Sequence, residues 1–181
     1  MAKLVLVLGG VRSGKSRWAE HLASRSPPVT YLATAQAGDE EMAQRIAQHR
    51  RRRPPDWRTV EEPWDLARTV ADLLTPSAGP VPGSVLIECL TLWLSNQMLG
   101  LVGVPARDNP AILGELNALV EAVGCGVGQV IVVSNEAGWG LTPPNALARR
   151  FGDLLGEANQ LLAAHADDVF ACLAGIPVRI K

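Results

Sequence analysis

Residues 9–16 read Gly-Gly-Val-Arg-Ser-Gly-Lys-Ser, a match to G-x-x-x-x-G-K-[ST]. They follow the unbroken apolar run Leu4-Val5-Leu6-Val7-Leu8, and a helical pattern begins near Lys15. No other stretch of the chain restricts its fold as tightly as this strand–loop–helix junction. Gly9 and Gly14 let the backbone curl so that successive N–H groups point inward. Those donors, from Gly9, Gly10, Val11, Arg12, Ser13, Gly14, Lys15 and Ser16, join the positive end of the following helix to cradle phosphate oxygens. Lys15 is placed to reach the β and γ phosphates, and Ser16 offers a hydroxyl to Mg²⁺. The bland alternative is a chance glycine turn. The motif points to nucleoside triphosphate binding and says nothing about what receives the phosphate.

Further aliphatic runs lie at 29–33, 84–88, 129–133 and 168–173. They lack polar alternation, as strands buried on both faces do. Helical spacing fills 15–25, 39–52, 64–74, 91–99, 110–123 and 145–165. Pro63 before Trp64-Asp65 and Pro144 before Asn145 suggest helix first turns, where a missing N–H costs nothing. The Pro/Gly-rich segments 75–83 and 100–110 read as surface loops. Two short apolar runs flank Ala174-Gly175, which predicts a closing hairpin with an antiparallel edge strand. Repeated βα units favour a mainly parallel sheet with helices on both faces. The expectation is an α/β fold of the P-loop NTPase (RecA-like) kind, with residues 1–181 forming one nucleotide-binding catalytic domain.

Composition narrows the function. Seventeen Lys and Arg against 18 Asp and Glu leave a net charge of −1. That balance argues against a dedicated nucleic-acid binder. Hydrophobic residues make up 48%, ample for a packed core, but aromatics are only 4%, so the core must be aliphatic. Cys89, Cys125 and Cys172 are odd in number and widely spaced, supporting neither a disulfide framework nor a zinc site. A reducing cytoplasm is the expected compartment. The apolar runs are far too short for a membrane span. The one at the amino terminus leads straight into the glycine loop and reads as a strand, not a signal peptide.

A metal needs a second ligand besides Ser16. Glu88 ends the run Val85-Leu86-Ile87. A carboxylate at the C-terminal end of a central strand faces the crevice where ligands bind in open α/β sheets. Its alternative is a capping or salt-bridging glutamate. The segment 39–53, DEEMAQRIAQHRRRR, places Glu41, Arg45, His49 and Arg53 on one helix face. Three readings stand open on residue types alone. It is a solvated helix with a basic end, a nucleic-acid patch, or a site in which arginines keep His49 neutral and nucleophilic beside a polyphosphate. In the last case attack on an α-phosphate gives a nucleotidyl-histidine. His21 reads as surface or core filler, and His165 suits a helix C-terminus.

The motifs together resemble the bifunctional adenosylcobinamide kinase / adenosylcobinamide-phosphate guanylyltransferase family of cobalamin biosynthesis. The resemblance runs through GGVRSGKSRWAE (9–20), YLATAQ (31–36), GDEEMAQRIAQHRRRRP (38–54), WRTVEEP (57–63), LIECLTLWLSN (86–96), VVSNEAGWG (132–140), FGDLLGEANQ (151–160) and AGIPVRIK (174–181). It implies two reactions. The first phosphorylates adenosylcobinamide from ATP or GTP, and the second transfers GMP from GTP onto that phosphate through a guanylyl-histidine. The matching histidine is His49. The family's nucleotide contacts carry over to Gly9 through Ser16, to Ala33, Thr34 and Ala35, to Arg50, Arg51, Arg52 and Arg53, and to Glu61 and Glu88. Glu61 is alternatively an ordinary strand-end acid.

Asn135, Glu136 and Trp139, in the glycine-rich segment after a buried strand, are candidates to contact the corrinoid; the alternative is a structural turn. The resemblance also implies a homo-oligomer such as a trimer, for which the apolar 91–104 segment with Trp93 is the candidate interface. Gly152 departs from the pattern, standing where family members often carry arginine. Competing readings are a P-loop small-molecule kinase without guanylyl transfer, a P-loop nucleic-acid-binding ATPase and a nucleotide-binding regulator without turnover.

Overall fold

The first apolar run forms β1 (Lys3–Gly9), which lies inside a seven-stranded sheet. The computed structural model describes residues 1–75, 80–138, 140 and 142–181, with Arg45 and Arg52 described by backbone alone. After β1 come α1 (Lys15–Ser24), β2 (Val29–Ala33), α2 (Glu40–Arg52), β3 (Arg58–Glu61), α3 (Leu66–Leu74) and β4 (Ser84–Glu88). Then follow α4 (Leu90–Leu99), α5 (Asn109–Cys125), β5 (Gln129–Asn135), α6 (Ala146–His165), β6 (Asp168–Leu173) and β7 (Ile176–Arg179). The strand order is β3-β2-β4-β5-β1-β6-β7, parallel throughout except for the final antiparallel β6–β7 pair.

The unbroken apolar runs are explained by helices on both faces. Leu4, Leu6 and Leu8 of β1 point into one cluster with Leu66, Trp93, Leu116 and Leu155 from α3 to α6. Val5 and Val7 point the other way, into a smaller cluster with Ala19 and Ala23 of α1 and with Tyr31. A strand such as β1 therefore has no solvent face on which polar residues would alternate.

Four details depart from expectation. β3 is absent from the aliphatic runs because it is a short edge strand with Arg58, Thr59 and Glu61 exposed. Pro63 lies before α3 rather than in its first turn; the Glu62 carboxylate accepts from the Trp64 and Asp65 amides, both at 2.8 Å, and sets the entry. Pro144 likewise precedes α6, whose start is capped by Asn145 accepting from the Ala148 amide at 2.7 Å. Trp93 is fully buried, and its indole N–H donates to the Trp64 carbonyl at 2.9 Å, so this residue is core and offers nothing to an interface. The expected loop at 75–83 falls largely on residues outside those described.

The C-terminal hairpin reaches back to the head of the chain. The Gly175 amide donates to the Ser13 carbonyl at 2.9 Å. Gly14, with φ +93, lies so close that a Cβ there would be 2.9 Å from the Gly175 Cα. The phosphate loop thus rests on the β6–β7 turn, and glycine is required at position 14 by both backbone conformation and space.

Candidate active site

Parallel register brings the strand ends into one row. Gly9 pairs with Asn135, Ala33 with both Glu88 and Glu61. All lie at the C-terminal edge of the sheet, where α/β folds bind ligands. A cleft of about 660 Å³ opens there. Val11 through Ser16 line it from the loop, and Ala33, Ala35, Glu61, Glu88 and Asn135 line it from the strand ends. His49, Arg50 and Arg53 enter from the end of α2.

The loop takes the tight turns that its glycines permit. Gly14 precedes α1 in the left-handed conformation, and Arg12 at the loop apex also has positive φ, 58°. Gly9 is restricted by space, since a Cβ there would overlap Ser13 Oγ and sit 2.8 Å from the Cys172 carbonyl. Lys15 Nζ donates to the Gly10 carbonyl at 3.2 Å, holding the ammonium over the loop. Ser16 Oγ donates to Glu88 Oε1. A hydroxyl and a carboxylate brought together at a phosphate cradle are hard oxygen donors, the set that suits Mg²⁺.

His49 lies in the same place. A ring nitrogen of His49, a carboxylate oxygen of Glu88 and one of Glu20 fall within 4.8 Å of one another, all three residues half-buried. The helix-face pattern is what delivers the histidine, although Arg53 itself lies just past the helix as its C-cap. The Arg53 guanidinium stacks on the Tyr31 ring at 3.4 Å from its centroid, and its Nη1 donates to Thr59 Oγ1 at 3.3 Å. Arg50 is paired with Glu61 across the cleft wall. Burial, then the nearby Glu88 charge, raises the Tyr31 phenol far above its usual range, and Arg53 opposes both. Tyr31 therefore stays a neutral platform.

A cysteine in the cleft competes for the role of nucleophile. The Cys89 thiol lines it, but burial pushes its pKa up to about 11. Thiolate is the reactive form, so Cys89 is inert near neutral pH. Cys172 is shifted upward by burial as well.

Some sequence-selected residues stand elsewhere. Thr34 is fully buried, and its hydroxyl bonds the Cys89 backbone instead of facing the cleft. Arg51 is exposed and away from the lining, and the Arg52 side chain lies outside the described residues. Glu136 turns from the cleft to accept from Asn159 Nδ2 at 3.1 Å, while Asn135 keeps a buried side-chain oxygen without a partner among the described residues. Trp139 lies outside the described residues. His21 stacks on Trp18, and His165 Nδ1 sits 2.9 Å from the Leu161 carbonyl, both away from the cleft. Tyr31 and Glu20 were not singled out from the sequence. Both lie within motifs quoted above, but no spacing rule connects residue 20 to residues 49 and 88.

The fold is similar to that of an ATPase from the type III secretion system of pathogenic bacteria, with a TM-score of 0.58 at 10% identity, over 93% of this chain and 50% of that one. In sequence, the chain is 47% identical to the bifunctional adenosylcobalamin biosynthesis protein CobP of Pseudomonas aeruginosa, over 97% of this chain and 96% of the relative. It is 42% identical to the bifunctional adenosylcobalamin biosynthesis protein CobU of Salmonella typhimurium, over 98% and 99%. A family profile described as cobinamide kinase / cobinamide phosphate guanyltransferase matches residues 5–180. With the phosphate loop, Glu88 and His49 gathered at one sheet edge, and with a match along nearly its whole length, this chain belongs to the cobinamide kinase / cobinamide phosphate guanyltransferase family.

Proposed function

We propose that this chain phosphorylates adenosylcobinamide and then transfers GMP from GTP onto the resulting phosphate, through a guanylyl group carried by His49. The carrying observation is the position of His49. It stands at the phosphate cradle, its ring nitrogen within 4.8 Å of a Glu88 oxygen. A kinase without a second step has no use for a nucleophile there.

The two reactions break different bonds, one to the γ-phosphate and one to the α-phosphate. The loop amides and Lys15 grip the polyphosphate chain in both. Arg50 and Arg53 lie on the wall from which His49 enters and would offset charge on the departing pyrophosphate. Ser16 and Glu88 would hold Mg²⁺, which when bound neutralises phosphate charge. Asn135, whose side-chain oxygen at the cleft has no partner among the described residues, is the substrate contact we favour among the three candidates. The use of ATP or GTP in the first step, a cytoplasmic setting and assembly as a homo-oligomer belong to the same proposal. Among the described residues no helix is long and apolar enough to cross a membrane.

Incubation with α-labelled GTP and Mg²⁺, followed by denaturing electrophoresis, tests the transfer step. We expect label on the wild type that is lost in acid, survives alkali, and is absent from His49→Ala. A P–N bond to imidazole behaves in this way. Wild type that binds GTP and phosphorylates the corrinoid yet takes no label would leave a simple kinase.

A further inference from the structure

Glu20 has no role in the account above. It lies on α1, five residues beyond the loop lysine, and is half-buried. Its carboxylate is one corner of the Glu20–His49–Glu88 cluster, whose ligand atoms all fall within 4.8 Å. That separation is spanned by a small side-chain adjustment or by one bridging water. Three different elements, α1, α2 and β4, meet at this point.

A nucleophilic imidazole has two requirements. One ring nitrogen must carry a lone pair toward phosphorus. The other must carry the proton, and the group it donates to decides which nitrogen is which. Attack also builds positive charge on the ring, which a fixed carboxylate stabilises. Two carboxylates are near enough. Glu88 already accepts from Ser16 and sits where the metal is proposed. Glu20 is not among the residues that line the cleft. Besides cations and the protonated Tyr31 and Cys89, the cleft that His49 enters is lined, among the described residues, by one further carboxylate, Glu61. It is paired with Arg50 and is not part of the cluster that joins His49, Glu20 and Glu88.

We infer that Glu20 is the positioning residue for His49, accepting its imidazole N–H, fixing the reactive tautomer and balancing the charge of the guanylyl-imidazolium. The inference rests on the guanylyl-transfer reading. The lone pair of the other nitrogen forms the P–N bond as the bond from the α-phosphorus to pyrophosphate breaks, and pyrophosphate leaves with that electron pair. The N–H proton stays between the ring and Glu20. When the corrinoid phosphate oxygen attacks the same phosphorus, the P–N pair returns to the ring, and His49 is neutral again in its original tautomer.

Two measurements test this on the whole protein. The first is the single-turnover rate of labelling by α-labelled GTP at saturation. Glu20→Ala is expected to lower it by roughly 10–100-fold, with GTP affinity within about twofold of wild type. Glu20→Gln keeps an acceptor oxygen without charge and is expected to fall between. The second is nitrogen NMR of ¹⁵N-histidine protein. The chain has three histidines, so His49→Ala assigns the signal. Wild type and Glu20→Gln should show one His49 tautomer, and Glu20→Ala a mixture.

Wild-type labelling rates in both variants, or an unchanged tautomer in Glu20→Ala, would overturn the inference while leaving guanylyl transfer intact. Unlabelled wild type would instead remove the transfer reading, and the tautomer measurement would still decide whether Glu20 orients the ring.

Discussion

The hydroxyl of Thr34 donates to the Cys89 carbonyl and accepts from the Cys89 amide, each at 2.8 Å. It joins the ends of β2 and β4 just where Glu88 must point into the cleft. A motif position can therefore shape the edge of the cleft through a buried side chain. Thr34→Val keeps the shape and removes both bonds, leaving the Cys89 amide without its acceptor, while the Cys89 carbonyl keeps the Trp93 amide at 3.1 Å. The expected cost is about 2 kcal/mol, read as a fall in Tm of roughly 4–8 °C. An unchanged Tm would mean that water replaces the hydroxyl. The same scale shows what residue types alone could not decide. The basic run 50–53 reads as one stripe, yet its described members diverge. Arg50 pairs with Glu61, Arg53 stacks on Tyr31, and Arg51 faces solvent. Glu20 stayed hidden because its significance is a distance across three elements.

Elements were legible where burial on both faces left only apolar residues. β1, β2, β4, β5 and β6 are such strands, and all five stand out as aliphatic runs. β3 pairs on one side only and is exposed, so its residues carry no such mark. Pro63 and Pro144 mark the helix starts only loosely, because other side chains set the entry: Glu62 holds the Trp64 and Asp65 amides just ahead of α3, and Asn145 caps α6. Gly152 gives a prediction at this scale. It lies within α6, where an added Cβ would meet nothing within 4 Å. Gly152→Ala should therefore raise stability by about 1 kcal/mol, measured as a higher urea midpoint at constant m-value. A lower midpoint would show that this helix position is held for another contact.

At the scale of the whole molecule, Asp168 joins three strands. It pairs with Lys3 of β1 and with Arg179 of β7. The hydrogen bond from Lys3, aided by the charges of Lys3 and Arg179, holds its carboxyl below the ordinary carboxylate range, while burial opposes them. The unfolded chain takes up this proton near the ordinary value of about 3.9, and the folded chain only at lower pH. The stabilisation is complete above the unfolded value and is lost as pH falls through the folded one. Thermal melts of wild type and Asp168→Asn should differ at neutral pH and converge in acid. Parallel Tm curves down to strongly acidic pH would contradict this.

The place of β1 bears on how the protein comes into being. It precedes every other strand in the chain but lies between β5 and β6, two of the last three strands. Lys3 has no ladder partner until Gln129 has been synthesised, and Val5 none on its other side until Asp168 follows. The loop after β1 acquires its floor only when Gly175 arrives. Pairings this distant in sequence form slowly, because the intervening chain must close first. Both native ladders of β1, and the floor of the loop after it, therefore close only after nearly all of the described strands have been synthesised.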